Sequence, residues 1–202
     1  MSLTKTIFAM LLAALSPRVE AQRAAAPAKP GVIHVVIETE RGDIAVSLDS
    51  ARAPVSVANF LRYVDGGFYT GGVFHRTVTP ANQPNDSVRI EVIQGGPNPQ
   101  RQGNGFPPIE LERTNATGLK HRDGTLSMAR AGPNTATSDF FICIGDQPAL
   151  DFGGHRNRDG QGFAAFGQVT SGMDVVRAIQ GSAAQAQRLT PPIAIRRIRR
   201  VP

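Results

Sequence analysis

The sequence has few of the residues that cross-link a chain or carry it through a membrane. It contains one cysteine among 202 residues, so no disulfide can form within the chain. Tryptophan is absent, and aromatic residues make up only 6% of the chain. The longest apolar run, Ile7 to Leu15, is far shorter than the roughly 20 residues that a membrane-spanning helix needs. The fold must therefore rest on the packing of its own apolar interior.

Common catalytic signatures are missing as well. The four histidines are scattered, and there is no H-E-x-x-H zinc motif, no P-loop and no G-x-S-x-G nucleophile turn. Asp151, His155 and Asp159 share one glycine-rich loop without an obvious nucleophile, so we interpret them as solvated turn residues. Cys143 stands within the apolar run from Phe140 to Ile144, where a cysteine is more often a buried hydrophobe than a nucleophile.

Basic charge is present in excess. The net charge is +6 and the sequence pI is about 10.4. The densest basic cluster lies at the C-terminus and comprises Arg196, Arg197, Arg199 and Arg200. Apolar residues interrupt this cluster, which is typical of a closing strand with one solvated face. Nucleic-acid binding is the alternative interpretation, but no aromatic residues accompany the cluster to stack bases, so we expect no nucleic-acid partner.

The first 21 residues have the pattern of a secretory signal peptide. Lys5 precedes the apolar run, and the small residues Val19 and Ala21 precede the expected cleavage site. We therefore predict a signal peptide over residues 1–21, a linker over 22–31 and a folded domain over 32–202. A disordered or membrane-anchored N-terminus is the alternative. After cleavage we expect a periplasmic or secreted protein with no stable membrane insertion.

Strand-like runs recur along the folded part, most of them bounded by glycine, proline or asparagine. They cover residues 32–39, 43–48, 72–77, 88–94, 124–129, 140–144, 163–169 and 193–201. One helical pattern begins at Pro54 and ends at Gly66, and a second fits Met173 to Ile179. About eight strands and two helices indicate a closed or nearly closed barrel.

Several sequence blocks, in a fixed order, resemble the cyclophilin family of prolyl isomerases. The blocks are Phe74-His75-Arg76, then Val92-Ile93-Gln94-Gly95-Gly96, then Ser127 to Thr135 running on to Ile142, and finally Leu150-Asp151 with Phe163 to Gly167. Their order and near-matching spacing extend the likeness over roughly residues 32–201. The resemblance implies a mainly β fold, a closed eight-stranded antiparallel β-barrel capped by two α-helices, with a peptide groove on its outside.

The resemblance also implies roles for individual residues. Arg76 takes the catalytic position, and Gln94 takes a substrate-binding position. The other implied substrate-binding residues are Phe141 as the floor of a proline pocket, Val92, Leu150 and Phe163 as its walls, and Ala129 and Arg130 beside the bound peptide.

The implied activity is the acceleration of cis/trans isomerisation of peptide bonds before proline. The chemistry needs no cofactor and no metal. We expect proline-containing peptides and unfolded protein clients as partners, and a monomer. The alternative is a peptide-binding chaperone module that keeps the groove but has weak or no isomerase activity.

Three departures from the family pattern bear on the site. Asp139 stands where the family usually has glutamine, and we expect it at the substrate site, where it could pair with Arg76 or Arg130. Glu91 stands where the family often has phenylalanine, and we expect it to remove one apolar wall. The loop from Thr77 to Ile90 has 14 residues where the family commonly has about four, and we expect it to edge the groove.

Overall fold

The computed structural model describes residues 31–84, 86–101 and 103–201. The predicted signal peptide and residues 22–30 of the predicted linker lie outside these residues, so both stay predictions. The strands are β1 Val32–Thr39, β2 Gly42–Asp49, β3 Gly72–Val78, β4 Val92–Gly96, β5 Thr125–Met128, β6 Phe140–Cys143, β7 Ala164–Ser171, β8 Ala184–Gln185 and β9 Arg188–Val201. The helices are α1 Pro54–Asp65, α2 Thr114–Thr117 and α3 Met173–Gln180.

The strands form a closed antiparallel barrel. Eight of them follow one another in the order β1-β2-β7-β5-β6-β4-β3-β9, and pairing of β1 with β9 closes the ring. The two-residue strand β8 pairs only with the start of β9. The predicted mainly β, closed eight-stranded antiparallel barrel is therefore confirmed. Closure leaves the eight main strands without a free edge.

The described residues contain three α-helices where two were predicted. The additional helix, α2, has four residues and ends at Gly118, whose φ of 71° is left-handed. A single turn is too short to show the 3.6-residue apolar period on which the prediction relied. Helix α1 was predicted correctly, with Pro54 in its first turn, where the missing N–H costs nothing.

The barrel interior is filled from alternate positions of each strand, because successive strand side chains point to opposite faces. The ring of Phe60, from α1, lies 5.3–5.6 Å from the rings of Tyr69, Phe140 and Phe166. Helix α3 buries Val176 and Ile179. No helix among the described residues is both long enough and apolar enough to cross a membrane.

The closing strand is longer than predicted, because β9 begins at Arg188 and not at residue 193. Pro191 and Pro192 have no backbone N–H to donate to a β-ladder. The sequence pattern therefore did not indicate a strand before residue 193. The two prolines are accommodated where the partner strand β3 shifts its register between Phe74 and Arg76. This extension brings the beginning of β9 beside Arg76, which pairs with Arg188.

The C-terminal basic cluster is partly neutralised by acidic side chains. Arg197 and Arg199 both donate to Glu38 on β1, at 2.8 and 2.6 Å. These hydrogen bonds lower the pKa of Glu38 to about 2. Arg200 contacts Asp65 at the end of α1. The cluster thus belongs to the seam at which the barrel closes, as the strand interpretation expected.

Candidate active site

A groove of about 440 Å³ lies on the outside of the barrel. Its lining includes all nine residues that the sequence singled out, namely Arg76, Val92, Gln94, Ala129, Arg130, Asp139, Phe141, Leu150 and Phe163. Strands β3, β4 and β6 are neighbours in the sheet, and they bring Arg76, Gln94 and Phe141 side by side. Sequence alternation therefore delivers these three side chains to one outer face.

One part of the groove is apolar and well packed. Val92, Phe141 and Leu150 belong to a buried cluster that is separate from the barrel interior. The Phe163 ring packs edge-on against Phe141, with the ring centres 5.3 Å apart. Ile90, at the end of the long loop, is also buried and lines the groove. These side chains form an apolar concavity, the kind of surface that receives a saturated ring.

Arg76 places a positive charge at the edge of this concavity. Its Nη1 donates to Gln94 Oε1 at 3.0 Å. Its Nε and Nη2 both donate to Gln187 Oε1, at 2.9 and 2.6 Å. Burial and the nearby charge of Arg156 lower the pKa of Arg76. Arginine nevertheless stays protonated at neutral pH, so a desolvated cation faces the groove.

Gln94 connects Arg76 to Asp139. While Gln94 Oε1 accepts from Arg76, its Nε2 donates to Asp139 Oδ2 at 3.3 Å. The two contacts give the amide one orientation, because a carboxylate can only accept and a guanidinium can only donate. His75 Nε2 lies 3.6 Å from the same carboxylate oxygen. Burial raises the pKa of Asp139 despite the opposing effects of His75 and Gln94.

Arg130 is held along the other side of the groove. Its Nη1 and Nη2 donate to the two Asp159 oxygens at 2.7 and 3.0 Å, and its Nε donates to the Gly162 carbonyl at 2.8 Å. Its guanidinium carbon lies 5.0 Å from the centre of the Phe163 ring. Arg130 therefore ties the loop before β7 to the groove wall, and Ala129 stands next to it in the lining.

A family model described as cyclophilin type peptidyl-prolyl cis-trans isomerase/CLD matches residues 34–200. The chain belongs to the cyclophilin family. A peptidyl-prolyl cis-trans isomerase A of Dickeya dadantii is 41% identical over 145 residues, which cover 70% of this chain and 68% of the relative. The isomerase B of Escherichia coli is 38% identical over 153 residues, or 74% of this chain and 85% of the relative. This cyclophilin is thus an enzyme of the peptidyl-prolyl cis-trans isomerase class.

Solved structures agree with this assignment. A cyclophilin type isomerase of Cryptosporidium parvum superposes with a TM-score of 0.68 at 25% identity, covering 85% of this chain and 98% of that chain. A structure of the same protein in the presence of the dipeptide Ala-Pro has a TM-score of 0.65 at 26% identity, with coverages of 82% and 96%. The barrel of this cyclophilin and its helices therefore follow the family fold.

The expected pairing of Asp139 with Arg76 or Arg130 is wrong. Arg76 donates to two glutamines, and the carboxylate partner of Arg130 is Asp159. Asp139 reaches Arg76 only through the amide of Gln94. The sequence could not show this. Arg76, Arg130 and Asp139 lie in different parts of the chain, and their pairing depends on where each side chain points in the folded protein.

The expectation that Glu91 opens a gap in the apolar wall is also wrong. Glu91 is not among the groove-lining residues, and its Oε2 accepts from Gln180 of α3 at 3.0 Å. Ile90 faces the groove instead. Gln83 fixes this arrangement, because its buried amide donates to the Ile90 carbonyl at 2.7 Å and accepts from the Ile90 N–H at 3.2 Å. The long loop therefore edges the groove, as expected, and its residue Ile90 provides the apolar wall that Glu91 does not.

Asp151 is not a solvated turn residue. Its carboxylate accepts from His121 Nδ1 at 2.8 Å, and His121 Nε2 lies 3.0 Å from Ser127 Oγ. This order of groups is that of a hydrolytic triad, but Ser127 is fully buried and His121 is 1% exposed. The His121 ring stacks behind Phe141 at a centroid distance of 6.0 Å. The three residues therefore support Phe141 from behind the groove.

Cys143 is fully buried on the outer-face cluster, as the sequence suggested. Burial raises the pKa of its thiol far above the ordinary range, so it stays protonated. Within the described residues, no group of three or more His, Cys, Asp or Glu side chains is placed to hold a metal ion.

Sequence reasoning missed some groove residues and one residue behind the groove. Arg156 and Asn157 line the groove from the loop before β7, and Arg156 donates to Asp86 and to the Val88 carbonyl of the long loop. Gln187 holds Arg76 from the turn between β8 and β9. None of them belongs to a recognisable motif, so no sequence signal marked them.

Proposed function

We propose that this cyclophilin isomerises X–Pro bonds in protein clients by a non-covalent mechanism in which Arg76 donates to the prolyl nitrogen. The observation that carries the proposal is the position of the Arg76 guanidinium at the edge of an apolar concavity built on Phe141. The Ala-Pro dipeptide named with the Cryptosporidium relative supports a proline-containing ligand for this groove.

The chemistry requires weakening of the peptide bond's partial double-bond character. Its rotation barrier is about 18–20 kcal/mol because the nitrogen lone pair is delocalised into the carbonyl. At the twisted transition state the lone pair returns to nitrogen, which then accepts a hydrogen bond that the planar ground state cannot. A cationic donor at this point stabilises the transition state more than the ground state, and therefore accelerates rotation.

The remaining groups hold the substrate while one end turns. In this mechanism the proline ring packs against Phe141, Val92, Leu150 and Phe163, and the support is that all four line one apolar part of the groove. Gln94 and the strand beside Ala129 offer polar contacts to the peptide on either side. Fixing the ring in this way leaves rotation of the preceding residue as the motion that completes the reaction. No proton transfer or covalent bond is required.

A protease-coupled isomerisation assay on an Ala-Pro peptide tests the proposal. We expect Arg76→Ala to lower kcat/KM about ten- to a hundredfold, because a charge-assisted hydrogen bond is worth roughly 1.5–3 kcal/mol. Arg41→Ala is the matched control, since Arg41 is exposed in the β1–β2 turn and does not line the groove. Equal rates for wild type and Arg76→Ala would overturn the mechanism. Peptide binding without measurable isomerisation by wild type would favour the chaperone-module alternative.

We propose further that the protein is exported and assists the folding of exported chains in the periplasm or outside the cell. The support is the pattern of residues 1–21, with Lys5, a short apolar run and small residues before a cleavage site. Mass spectrometry of the protein from a periplasmic extract or the culture medium tests this proposal. An N-terminus at Gln22 is the expected result, and an uncleaved chain confined to the cytoplasm would contradict it.

We also propose that the protein acts as a monomer. Among the described residues the exposed large hydrophobic side chains are Val55 and Phe152, which are 40% and 41% exposed and belong to α1 and to the loop after Leu150. Two large apolar side chains of this exposure provide little apolar surface for self-association. Light scattering coupled to gel filtration should give the monomer mass, and a concentration-independent dimer mass would refute the proposal.

A further inference from the structure

The Arg76 guanidinium is fixed from two sides. It has five N–H groups. One of them, on Nη1, is used by Gln94, and two, on Nε and Nη2, are used by Gln187. Among the described residues, no hydrogen bond uses the other two N–H groups, one on each terminal nitrogen, so these are the ones offered to a ligand in the groove. Because the three occupied groups include Nε and both terminal nitrogens, the plane of the guanidinium cannot rotate without breaking a hydrogen bond.

Gln187 makes two of these three hydrogen bonds but does not line the groove. It therefore acts on a substrate only through Arg76. We propose that Gln187 is a positioning residue for the isomerisation, and that Asn82 in the long loop holds Gln187 in place. This inference rests on the proposed role of Arg76 as the donor to the prolyl nitrogen.

The turn that carries Gln187 is braced from the long loop. Asn82 Nδ2 donates to the Ala186 carbonyl at 3.1 Å and to the Thr77 carbonyl at 3.0 Å. Ala186 has a φ of 53°, a left-handed conformation that a non-glycine residue rarely adopts. The Asn82 side chain thus spans the strand that bears Arg76 and the turn that bears Gln187.

The orientation of the Gln187 amide is also determined. Its Nε2 donates to the Asn82 carbonyl at 3.2 Å, so its Oε1 must be the atom that faces Arg76. Its backbone carbonyl accepts from the Thr77 N–H at 2.9 Å. Both the backbone and the side chain of Gln187 are therefore tied to the segment that follows Arg76.

A positioned donor is effective because its orientation is set before the substrate arrives. A guanidinium on a freely rotating side chain would spend much of its time directed away from the prolyl nitrogen. Loss of Gln187 should therefore reduce the rate of rotation, while peptide binding in the apolar concavity stays nearly unchanged. A neutral amide achieves this without cancelling the charge of Arg76, as a carboxylate at the same place would.

The test is the same isomerisation assay with Gln187→Ala and Gln187→Met, the latter keeping the length of the side chain while removing its hydrogen bonds. We expect kcat to fall about tenfold and KM to change less than about twofold, because the lost interaction operates in the transition state. Gln185→Ala is the matched control, since Gln185 is an exposed glutamine in β8, two positions away, and should keep the wild-type rate.

The decisive measurement uses the Arg76→Ala background. If Gln187 acts through Arg76, adding Gln187→Ala to Arg76→Ala produces no further loss of kcat. Equal additional losses in both backgrounds, or a wild-type rate in Gln187→Met, would overturn the inference. If Arg76→Ala itself has the wild-type rate, the proposed mechanism fails, and the two failures are thereby distinguished.

The brace is tested by Asn82→Ala in the same assay. Removing its side chain frees the Ala186 and Thr77 carbonyls but leaves the Gln187 amide present. We therefore expect a smaller loss of kcat, about threefold, that also disappears in the Arg76→Ala background. A loss of kcat that persists without Arg76 would mean that Asn82 serves only the stability of the loop, and this result would contradict the proposed brace.

Discussion

The inner and outer faces of the barrel wall are built from neighbouring residues of the same strands, yet they differ in how completely they are filled. On β6, Phe140 points inward and its ring is surrounded by those of Phe60, Phe74 and Tyr69, 5.6–5.8 Å away. Phe141 points outward, and its ring is supported by His121 and Phe163 while one side lines the groove. The rings inside the barrel are enclosed by other side chains, whereas the outer cluster borders an open groove.

Successive residues of a strand point to opposite faces, so a residue of the barrel interior and a residue of the outer groove stand next to each other in the sequence. Both phenylalanines are buried, so burial by itself does not distinguish their positions. The distinguishing property is whether an open cavity borders the ring. Substitutions at the two positions should therefore have different consequences for unfolding and for catalysis.

The largest expected effect is on stability, at Phe140. Phe140→Ala should lower the free energy of unfolding by about 3–5 kcal/mol, because it removes a fully enclosed ring and leaves a cavity. Urea denaturation of the variant and the wild type measures this change. A loss in Phe140→Ala that is smaller than the loss in Phe141→Ala would break the comparison between the two faces.

The next effect is on catalysis, at Phe141. Phe141→Ala should cost only about 2 kcal/mol of stability, because the ring already borders the groove. It should, however, lower kcat/KM at least about tenfold, since the floor against which the proline ring packs is gone. The isomerisation assay, run at a temperature where both proteins are folded, checks this. A folded Phe141→Ala with wild-type kcat/KM would show that the outer cluster is not the proline pocket.

The smallest effect is a pH dependence at Asp139, whose pKa is raised by burial. The folded state then binds the proton more tightly than the unfolded state, so Asp139 lowers stability as the pH rises through its folded-state pKa. Asp139→Asn should match the wild type below about pH 4 and become the more stable protein as the pH rises towards neutrality. Denaturant titrations over this range measure the difference.

Asp65 provides a control of opposite sign. Its hydrogen bonds with Arg200 lower its pKa, so its contribution to stability is present at neutral pH and is lost on acidification. Asp65→Asn should therefore be less stable than the wild type at neutral pH, with the gap closing as the pH falls. The same sign for both variants would contradict the assignment of Asp139 to a desolvated position.

Much of the architecture could be predicted because the relevant signals are local. These signals are the alternation in β1 and β2, the proline at the start of α1 and the apolar run of β6. Each of them depends only on residues that are close together in the sequence. The nine residues assigned to the site were predicted from motif blocks, and all nine line one groove. Their individual roles in catalysis remain predictions that the variants above will test.

The sequence alone indicated the strands, and from them a closed or nearly closed barrel, through the alternation in β1 and β2 and the apolar run of β6. The row of side chains along the groove was implied by the resemblance to the family. What holds Arg76 in place was settled by the tertiary structure alone. Arg76 and Gln187 are 111 positions apart, and they meet because β9 extends past two prolines to pair with β3. Asp139 likewise reaches Arg76 only through Gln94. Such hydrogen bonds depend on which strands become neighbours and where each side chain points, and no local pattern encodes either.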